Sequence, residues 1–345
     1  MLPYALAKLL LFRLDPEKAH HLTLDAMNAA QRLGLLSTLA GDSPDQDSPR
    51  MVMGLKFPNA VGLAAGMDKS GIAVDAFGAI GFGHVEVGTV TPRAQPGNPK
   101  PRLFRLPEHE AIINRMGFNN PGMEAVLNNL NQRSHFKGIL GVNIGKNFDT
   151  PNENAIDDYV KGFRGAYPTA DYIAVNLSSP NTKGLRDLQA IDSCKALIKR
   201  LQEERIQLED ETGLFRPIAV KLAPDLSDEQ TKGLANMLSE LEIDAVIVTN
   251  TTIDKTAVQG HPMADEAGGL SGRPLKERSM ECLQVWRCSL DPKIPIISVG
   301  GILNGATARE RLEAGAALVQ VYTGLVYRGP SLVHDILRET QLLGA

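Results

Sequence analysis

The sequence predicts a (β/α)₈ barrel preceded by a small N-terminal α-helical extension, and three observations lead to this fold class. Short apolar runs, typical of strands buried on both faces, alternate with helical patterns through nearly all of the chain after residue 50. Eight such runs occur, which is the number of strands in this barrel. The alternative, a doubly wound open sheet, is disfavoured because no G-x-G-x-x-G opens a helix after any of the runs.

The composition is ordinary for a globular protein with a sizeable core. Of the 345 residues, 43% are hydrophobic and 22% are charged, and the net charge of −4 gives no reason to expect a nucleic-acid partner. Cys194, Cys282 and Cys288 form no C-x-x-C, which is typical of a reducing cytoplasm and argues against a disulfide framework and a zinc or other metal site. We find no signal peptide and no 18-residue apolar run, so we expect neither export by that route nor a spanning helix.

The N-terminal residues read as two helices. The first, from Tyr4 to Leu14, is apolar almost all round but far too short to cross a bilayer. The second opens with Asp15-Pro16-Glu17, which supplies an N-cap, a proline at the first helical position and an early acid, and it stops at Gly34. The first helix needs an apolar cover, either the main domain or a membrane interface. The sequence alone leaves both possibilities open.

This gives a simple domain organisation. Residues 1–40 form a helical module, and residues 41–50, rich in Asp, Pro and Ser, are expected to be a linker. The barrel then occupies residues 51–345.

The barrel strands and several of its helices can be placed from the apolar patterns. The strand candidates are Val61–Ala64, His84–Val90, Ile139–Ile144, Tyr172–Leu177, Ile218–Leu222, Ala245–Val248, Ile296–Val299 and Leu318–Val321. The helical patterns between them include Asp187–Glu211, Ser227–Leu241, Leu275–Ser289 and Ala306–Ala314.

The most informative strand end is the stretch Tyr172–Thr182, an apolar run that breaks into amides and hydroxyls and then Pro180. A Ser/Asn/Pro turn can simply end a strand. Here, however, small or polar residues follow every strand candidate, and in a barrel these strand ends meet at the mouth where chemistry is done.

Four of the strand ends together predict a flat, phosphorylated cofactor such as FMN. Small residues at Ala64-Ala65-Gly66 would let a flat ring approach the backbone. Gly300-Gly301 and Gly324, after the last two strands, are typical of the phosphate cradle of this fold. Lys221 would be costly at the end of a buried strand unless an anion or an electron-rich group met it.

The amides indicate a second ligand. Asn114, Asn176, Asn181 and Asn250 come from separate loops, and convergent amides suit a small ring with alternating C=O and N–H groups. Lys69 could neutralise a carboxylate on that ring. No His, Asp or Glu at these positions is an obvious base, so Ser179 remains as the nucleophile or proton acceptor. General chemistry alone would not select it, because an alcohol is very weakly acidic.

Five longer motifs occur in order along the chain. They are Ala64-Ala65-Gly66-Met67-Asp68-Lys69, Asn114-Arg115-Met116-Gly117-Phe118-Asn119, Val175-Asn176-Leu177-Ser178-Ser179-Pro180-Asn181-Thr182, Gly268-Gly269-Leu270-Ser271-Gly272 and Val321-Tyr322-Thr323. Over essentially its whole length the chain resembles the dihydroorotate dehydrogenases, specifically the membrane-associated, quinone-reducing class 2. The resemblance implies a (β/α)₈ barrel that holds FMN and oxidises dihydroorotate to orotate in pyrimidine synthesis.

The resemblance also implies a role for each matching position. The residues expected to bind FMN are Ala65, Gly66, Met67, Asp68, Lys69, Thr89, Asn143, Asn176, Lys221, Thr249, Gly272, Gly301, Tyr322 and Thr323. The residues expected to bind the substrate are Lys69, Asn114, Arg115, Met116, Gly117, Phe118, Asn176, Asn181, Asn250 and Thr251. Ser179 falls on the catalytic base, which would remove a proton while hydride passes to flavin N5. Lys221 would stabilise the negative charge of the reduced flavin.

Class 2 is favoured over class 1, which uses fumarate or a partner subunit, for two reasons. Class 1 enzymes carry Cys where this chain has Ser179, and the helical module at residues 1–40 matches the class 2 extension. The resemblance makes that module the quinone access and the membrane contact, with His20 and Arg102 lining the quinone tunnel. We therefore expect a peripheral enzyme on the cytoplasmic face of the bacterial inner membrane, without an obligatory protein subunit.

Overall fold

The computed structural model describes residues 4–35 and 48–341, so most of the predicted linker, residues 41–47, lies outside the described residues. The strands are β1 (Arg50–Val52), β2 (Leu55–Phe57), β3 (Val61–Leu63), β4 (His84–Val90), β5 (Leu103–Leu106), β6 (Ala111–Asn114), β7 (Ile139–Ile144), β8 (Tyr172–Asn176), β9 (Ile218–Leu222), β10 (Ala245–Val248), β11 (Gly269–Gly272), β12 (Ile296–Val299) and β13 (Leu318–Val321). The helices are α1 (Tyr4–Leu11), α2 (Pro16–Arg32), α3 (Val74–Ala79), α4 (Met123–Leu130), α5 (Ala155–Ala166), α6 (Ile191–Thr212), α7 (Asp228–Glu240), α8 (Lys276–Ser289), α9 (Gly305–Glu313), α10 (Thr323–Arg328) and α11 (Ser331–Gln341).

Eight parallel strands close into a barrel, which confirms the predicted fold class. Their order is β3–β4–β7–β8–β9–β10–β12–β13, and β13 pairs with β3 to complete the closure. Six of them have the bounds read from the sequence, and β3 and β8 each end one residue earlier. Helix α6 begins at Ile191 instead of Asp187 because a short 3₁₀ turn, Leu185–Gln189, precedes it.

Two small antiparallel units, which the sequence reading did not identify, lie at opposite ends of the barrel. At the amino end, β1 and β2 form a hairpin whose Phe57 ring packs edge-on against the His84 ring, with centroids 5.3 Å apart. At the carboxyl end, β5, β6 and β11 form a three-stranded sheet. These strands are three or four residues long, too short to carry a clear alternating pattern.

Small residues inside the barrel make room for large ones. A Cβ at Gly62 would lie 2.0 Å from the His84 imidazole, and a Cβ at Gly141 would lie 2.3 Å from the Tyr172 ring. The inward-facing apolar residues around them form one cluster: Ala64, Ala174, Ala219, Ala245, Ile247, Ile297, Val299 and Leu318. The barrel is therefore a packed core, and its polar side chains are concentrated at the centre and the mouth.

The predicted boundaries of α2 are confirmed. Asp15 caps the helix by accepting the backbone N–H groups of Glu17 and Lys18 at 3.1 and 3.0 Å. Gly34, with φ +69°, turns the chain just after the last helical residue. Helix α1 ends at Leu11 and not at Leu14, because the chain must turn before it reaches the Asp15 cap.

The N-terminal helices are docked on the barrel by a buried ion pair. Nη2 and Nε of Arg102 lie 2.7 and 3.1 Å from the carboxylate oxygens of Glu17, and both side chains are almost completely buried. Burial opposes ionisation of Glu17, but Arg102 and Lys100 outweigh it and lower the pKa of this carboxyl to about 2. Because removing one partner would leave a buried charge unpaired, this contact ties α2 to the barrel.

Helix α1 has one covered face and one exposed face. The Tyr4 hydroxyl donates to the carbonyl of Val326 at 2.7 Å, so one face packs on the barrel. On the other face Leu6, Leu9 and Leu10 are 48%, 62% and 66% exposed. The barrel thus supplies part of the cover that this helix needs. Within the described residues, no helix is both long enough and apolar enough to span a bilayer.

We predict that His84 makes the protein less stable in mild acid. Its imidazole is fully buried, and burial lowers its pKa from 6.5 to about 4, although Glu86 opposes this shift. Below pH 6.5 the unfolded chain takes up a proton that the folded protein does not, so stability falls as the pH decreases from 6.5 towards 4. Between pH 7 and 5 this amounts to roughly 2 kcal/mol.

The measurement is urea unfolding of the wild type and of His84→Leu at both pH values. The variant should lose less stability on acidification, whereas His135→Gln, at an exposed position, should behave as the wild type. An equal loss in His84→Leu and in the wild type would contradict the assignment.

Candidate active site

A pocket opens at the carboxyl ends of the barrel strands, where the fold leads one to expect chemistry. It contains roughly 990 Å³ of empty space, counting the part open to solvent. The predicted cofactor, substrate and catalytic residues that line it are Ala65, Gly66, Lys69, Thr89, Asn114, Met116, Gly117, Phe118, Asn176, Ser179, Asn181, Lys221, Thr249, Asn250, Thr251, Gly272, Gly301, Tyr322 and Thr323. The fold therefore brings together residues from all parts of the barrel.

The amides of Asn250, Asn176 and Asn143 belong to one chain of hydrogen bonds. Asn250 Nδ2 donates to Ser178 Oγ at 2.9 Å and to Asn176 Oδ1 at 3.4 Å. Asn176 Nδ2 donates to Thr89 Oγ1 at 2.9 Å, and Thr89 in turn donates to Asn143 Oδ1 at 2.5 Å. Because each side chain is held by its neighbours, the mouth presents a fixed pattern of donors and acceptors to a ligand.

Lys221 pairs with a carboxylate that the sequence reading did not identify. Its ammonium lies 3.4 Å from Oε1 of the fully buried Glu86. Glu86 also accepts hydrogen bonds from Asn143 Nδ2, Tyr172 Oη and Gln320 Nε2, each at 2.9 Å. Burial alone would raise the pKa of Glu86, but Lys221 and these donors outweigh it and hold the pKa below its usual value. The anion that Lys221 needs is thus supplied by the barrel itself.

Lys69 is a cation without a hydrogen-bond partner in the described part of the chain. Burial, together with the nearby Arg102 guanidinium, lowers the pKa of its ammonium to about 8. Its loop is held in place by Asp68, whose carboxylate accepts the backbone N–H groups of Ser70, Gly71, Ile72 and Ala73. An ammonium fixed in a pocket wall without a protein partner is suited to bind an anionic group of a ligand.

Ser179 lies in the loop after β8 and lines the pocket. Its Oγ accepts the backbone N–H of Asn181 at 3.2 Å and, among the described residues, donates to no acceptor. Its hydroxyl proton is therefore free to bond a ligand. Asn181 itself donates to Asn114 Oδ1 at 3.3 Å, so the amides on both sides of Ser179 are held in place.

The loops after β12 and β13 form the glycine-rich end of the pocket. Gly301 has φ +69°, and a Cβ there would lie 2.3 Å from the Cα of Lys276, so only glycine fits. Within the described residues no backbone acceptor pairs with the N–H of Gly301 or Thr323, and both residues line the pocket. Unpaired N–H groups are suited to a phosphate, and small residues such as Ala64 and Ala65 leave space for a flat ring. The pocket thus fits a flat phosphorylated cofactor.

Four of the residues predicted to bind the cofactor or the substrate do not line this pocket. Met67 faces a second cavity, Asp68 is turned into its own loop, and Asn143 lies beneath the mouth in the amide network. Arg115 points away from the pocket, because its guanidinium forms an ion pair with Glu266 at 2.5 Å.

A second cavity, with roughly 1140 Å³ of empty space, lies between the N-terminal helices and the barrel. Most of its wall is apolar and comes from α1, α2 and the barrel: Ala7, Leu11, Phe12, Ala19, Leu24, Met27, Met67, Phe77, Ile80, Leu103, Ile112, Leu325 and Val326. Tyr322 lines both this cavity and the mouth pocket. One aromatic side chain therefore separates a polar pocket from an apolar one.

Of the two predicted tunnel residues, His20 lines the second cavity and Arg102 does not. Arg102 cannot face the cavity because Glu17 and two backbone carbonyls engage its guanidinium. Arg105, three residues further along the same extended segment and on its opposite face, lines the cavity instead. The enclosed position of His20, with Lys69 nearby, lowers the pKa of its imidazole to about 3, so the ring is neutral.

The residues that sequence reasoning missed lie inside strands or beside residues that were found. Glu86 and Gln320 are polar residues within apolar runs, and their position on inward-facing sites was a usable signal. Arg105 shares a segment with Arg102, and no pattern in the sequence indicates which of the two faces the helices. Ser271 lines the pocket next to the predicted Gly272.

Comparison with known proteins gives one family. The family model of dihydroorotate dehydrogenase matches residues 49–343. The chain is 54% identical over 332 residues to the dihydroorotate dehydrogenase (quinone) of Marinobacter nauticus, covering 96% of this chain and 97% of that protein. It is also 54% identical over 335 residues to the dihydroorotate dehydrogenase (quinone) of Burkholderia multivorans, covering 97% and 96%.

Solved structures agree with this comparison. The crystal structure of DHODH from Eimeria tenella in complex with ferulenol is similar with a TM-score of 0.85 at 39% identity, covering 95% of this chain and 91% of that one. The ligand-free form from the same organism gives a TM-score of 0.83 at 41% identity, with 94% of each chain covered.

Proposed function

The chain belongs to the dihydroorotate dehydrogenase family, and we infer that it oxidises dihydroorotate to orotate, with a quinone as electron acceptor, in pyrimidine biosynthesis. The observation in the structure that carries this function is the Lys69 ammonium, which has no hydrogen-bond partner among the described residues and shares one pocket with Ser179 and four convergent asparagines. Dihydroorotate has a carboxylate for the cation and ring C=O and N–H groups for the amides.

The family is flavin-dependent, and we propose FMN as the flavin. The unpaired N–H groups of Gly301 and Thr323 would hold its phosphate. Small residues at Ala65 and Gly66 would lie against the ring, and Lys221 would face it from the barrel centre. When bound, this cofactor supplies a hydride acceptor next to the substrate and a two-electron donor to the quinone.

The proposed role of the protein's own residues is binding and proton removal. Lys69 neutralises the substrate carboxylate, while Asn114, Asn176, Asn181 and Asn250 orient the ring, so that one ring carbon faces Ser179. Ser179 Oγ then accepts the proton from that carbon and passes its own hydroxyl proton to a water molecule, so that the side chain ends as a neutral hydroxyl. The backbone N–H of Asn181 fixes the oxygen at 3.2 Å, which leaves its remaining lone pair and its proton for the reaction.

For the quinone we propose the second cavity. Its apolar wall suits a long isoprenoid tail, and neutral His20 and cationic Arg105 provide polar contacts for a quinone head. We assign this role to Arg105 and not to Arg102, because Arg105 lines the cavity, where the backbone carbonyls of α1 and the turn after it hold its guanidinium, and Arg102 does not. Residues 1–40 would then form the quinone-access module of the enzyme.

Quinone dependence implies association with a membrane, and we propose that the N-terminal helices make the contact. Leu6, Leu9, Leu10 and Leu22 are between 48% and 66% exposed, although they are large and apolar. A peripheral position on the cytoplasmic face of the bacterial inner membrane fits this surface and the soluble substrate.

The first prediction concerns the base. Ser179→Ala should keep its flavin but reduce it about 10²–10⁴-fold more slowly with dihydroorotate, the usual loss for a positioned general base. Single-turnover stopped-flow absorbance measures this rate. Ser178→Ala is the matched control, because the Ser178 hydroxyl is turned into the amide network and should matter much less. Wild-type reduction by Ser179→Ala would show that another group takes the proton.

The second prediction concerns the cation. Lys69→Met should weaken orotate binding roughly 10–100-fold, because a charge-assisted hydrogen bond contributes about 1.5–3 kcal/mol. Orotate titration followed by the flavin absorbance gives the affinity, and the flavin content of each preparation is measured first. Lys183→Met, at an exposed position, should bind orotate as the wild type does. Unchanged affinity in a flavin-replete Lys69→Met protein would place the carboxylate elsewhere.

The third prediction concerns the quinone cavity. Ala7→Phe adds a ring to the cavity wall, so reoxidation by a long-tailed quinone should slow by at least about tenfold. Reduction by dihydroorotate and reoxidation by a small soluble dye should change little. Ala5→Phe makes the same substitution on the exposed face of α1 and should leave all three rates unchanged. Equal quinone rates in the two variants would exclude the second cavity as the access route.

A further inference from the structure

Glu86 is a buried carboxylate for which the proposed mechanism has no use. It projects from β4 into the centre of the barrel and does not line the mouth pocket. Its two oxygens are shared between Asn143 and Lys221 on one side and Tyr172 and Gln320 on the other, so it connects β4 with β7, β8, β9 and β13. A carboxylate at this place is not explained by packing alone, because burying an apolar side chain of similar size would cost less desolvation free energy.

The charges around Glu86 are few. Lys221 is the cation in contact with it within the described residues, and His84, on the same face of β4, is kept neutral at neutral pH by its burial. Tyr172 is a neutral donor, since burial and Glu86 raise its pKa well above 10.0. The barrel centre therefore holds one negative and one positive charge.

Lys221 and Gln320 lie between this carboxylate and the ligand pocket. Both line the pocket, and both contact Glu86 directly. Charges in such a buried place are weakly screened, so the carboxylate acts on a bound cofactor as well as on Lys221. Addition of a hydride to a flavin adds negative charge to its ring, which Lys221 favours and a nearby carboxylate disfavours.

We propose that Glu86 is a positioning residue that lowers the reduction potential of the bound flavin, by offsetting the charge of Lys221 while it holds this ammonium at the pocket wall. The benefit is to the second half-reaction: a less stabilised reduced flavin gives up its two electrons to the quinone more readily. This inference rests on the proposed function, because it requires a flavin in the pocket.

Glu86→Gln tests the proposal with little change of shape. The new amide can keep its oxygen towards Asn143 and Lys221 and turn its NH₂ towards the Tyr172 hydroxyl oxygen, which would then accept a hydrogen bond instead of donating one, and towards Gln320. That neighbour can flip to accept it, because Gln320 Oε1 has no partner among the described residues. The variant thus removes the charge and keeps the contacts.

The readout is the reduction potential of the bound flavin, measured by equilibration with a reference dye. In Glu86→Gln the equilibrium should shift at least about tenfold towards the reduced flavin, which is about 30 mV for a two-electron couple. Reoxidation by quinone should slow, while reduction by dihydroorotate is retained. Tyr172→Phe, which removes a neutral hydrogen bond from the same carboxylate, should shift the equilibrium less than about threefold.

The outcomes distinguish failure of the role proposed for Glu86 from failure of the proposed function. A flavin-replete Glu86→Gln protein with an unchanged or lowered potential would overturn the role of Glu86 and leave the proposed function intact. A wild-type protein without flavin would overturn both. If Glu86→Gln does not retain flavin, the double variant Glu86→Gln/Lys221→Met, which removes both charges of the pair, decides instead: because the two charges offset one another, its equilibrium should stay within about threefold of the wild type, and a shift of about tenfold or more towards oxidised flavin would count against the proposal.

Discussion

The ion pair between Glu86 and Lys221 is the interaction on which the mouth of the barrel depends. A carboxylate at full burial is tolerated only when its oxygens are matched by donors, and here donors from four other strands supply them. One of these donors, Asn143, also accepts a hydrogen bond from Thr89, and Thr89 in turn accepts one from Asn176. Thr89 and Asn176, which line the pocket, are thus held in place through a charged residue that does not line it.

The same barrel separates two kinds of chemistry. The mouth pocket is lined by amides, hydroxyls and lysines, whereas the cavity under the N-terminal helices is lined mainly by aliphatic and aromatic side chains. Tyr322 belongs to both walls. The sites proposed for an anionic, water-soluble substrate and for an apolar acceptor are therefore separate pockets that have Tyr322 in common. The N-terminal helices are needed to complete the second of these pockets.

A cluster of charges also connects these two regions. Glu17 on α2 pairs with Arg102, and the Arg102 guanidinium in turn helps to lower the pKa of Lys69 at the mouth. His20, one helical turn after Glu17, lines the apolar cavity and is kept neutral partly by Lys69. The docking of α2 thus sets the electrostatic surroundings of both sites, because the charges are buried and weakly screened.

The amino-acid pattern was enough to predict the barrel fold and most of the residues that line its mouth. Buried parallel strands are continuous apolar runs, and their polar ends must meet at one edge of the barrel. The sequence also determined the start of α2, where Asp15 and Pro16 act locally. It could not decide between Arg102 and Arg105, place Arg115, or reveal the partner of Lys221, because these depend on which side chains meet across strands distant in the chain. These contacts follow from the closure of the barrel, which brings the partner of each buried charge within reach of it. No local pattern in the sequence encodes that partner, because the two residues are far apart in the chain.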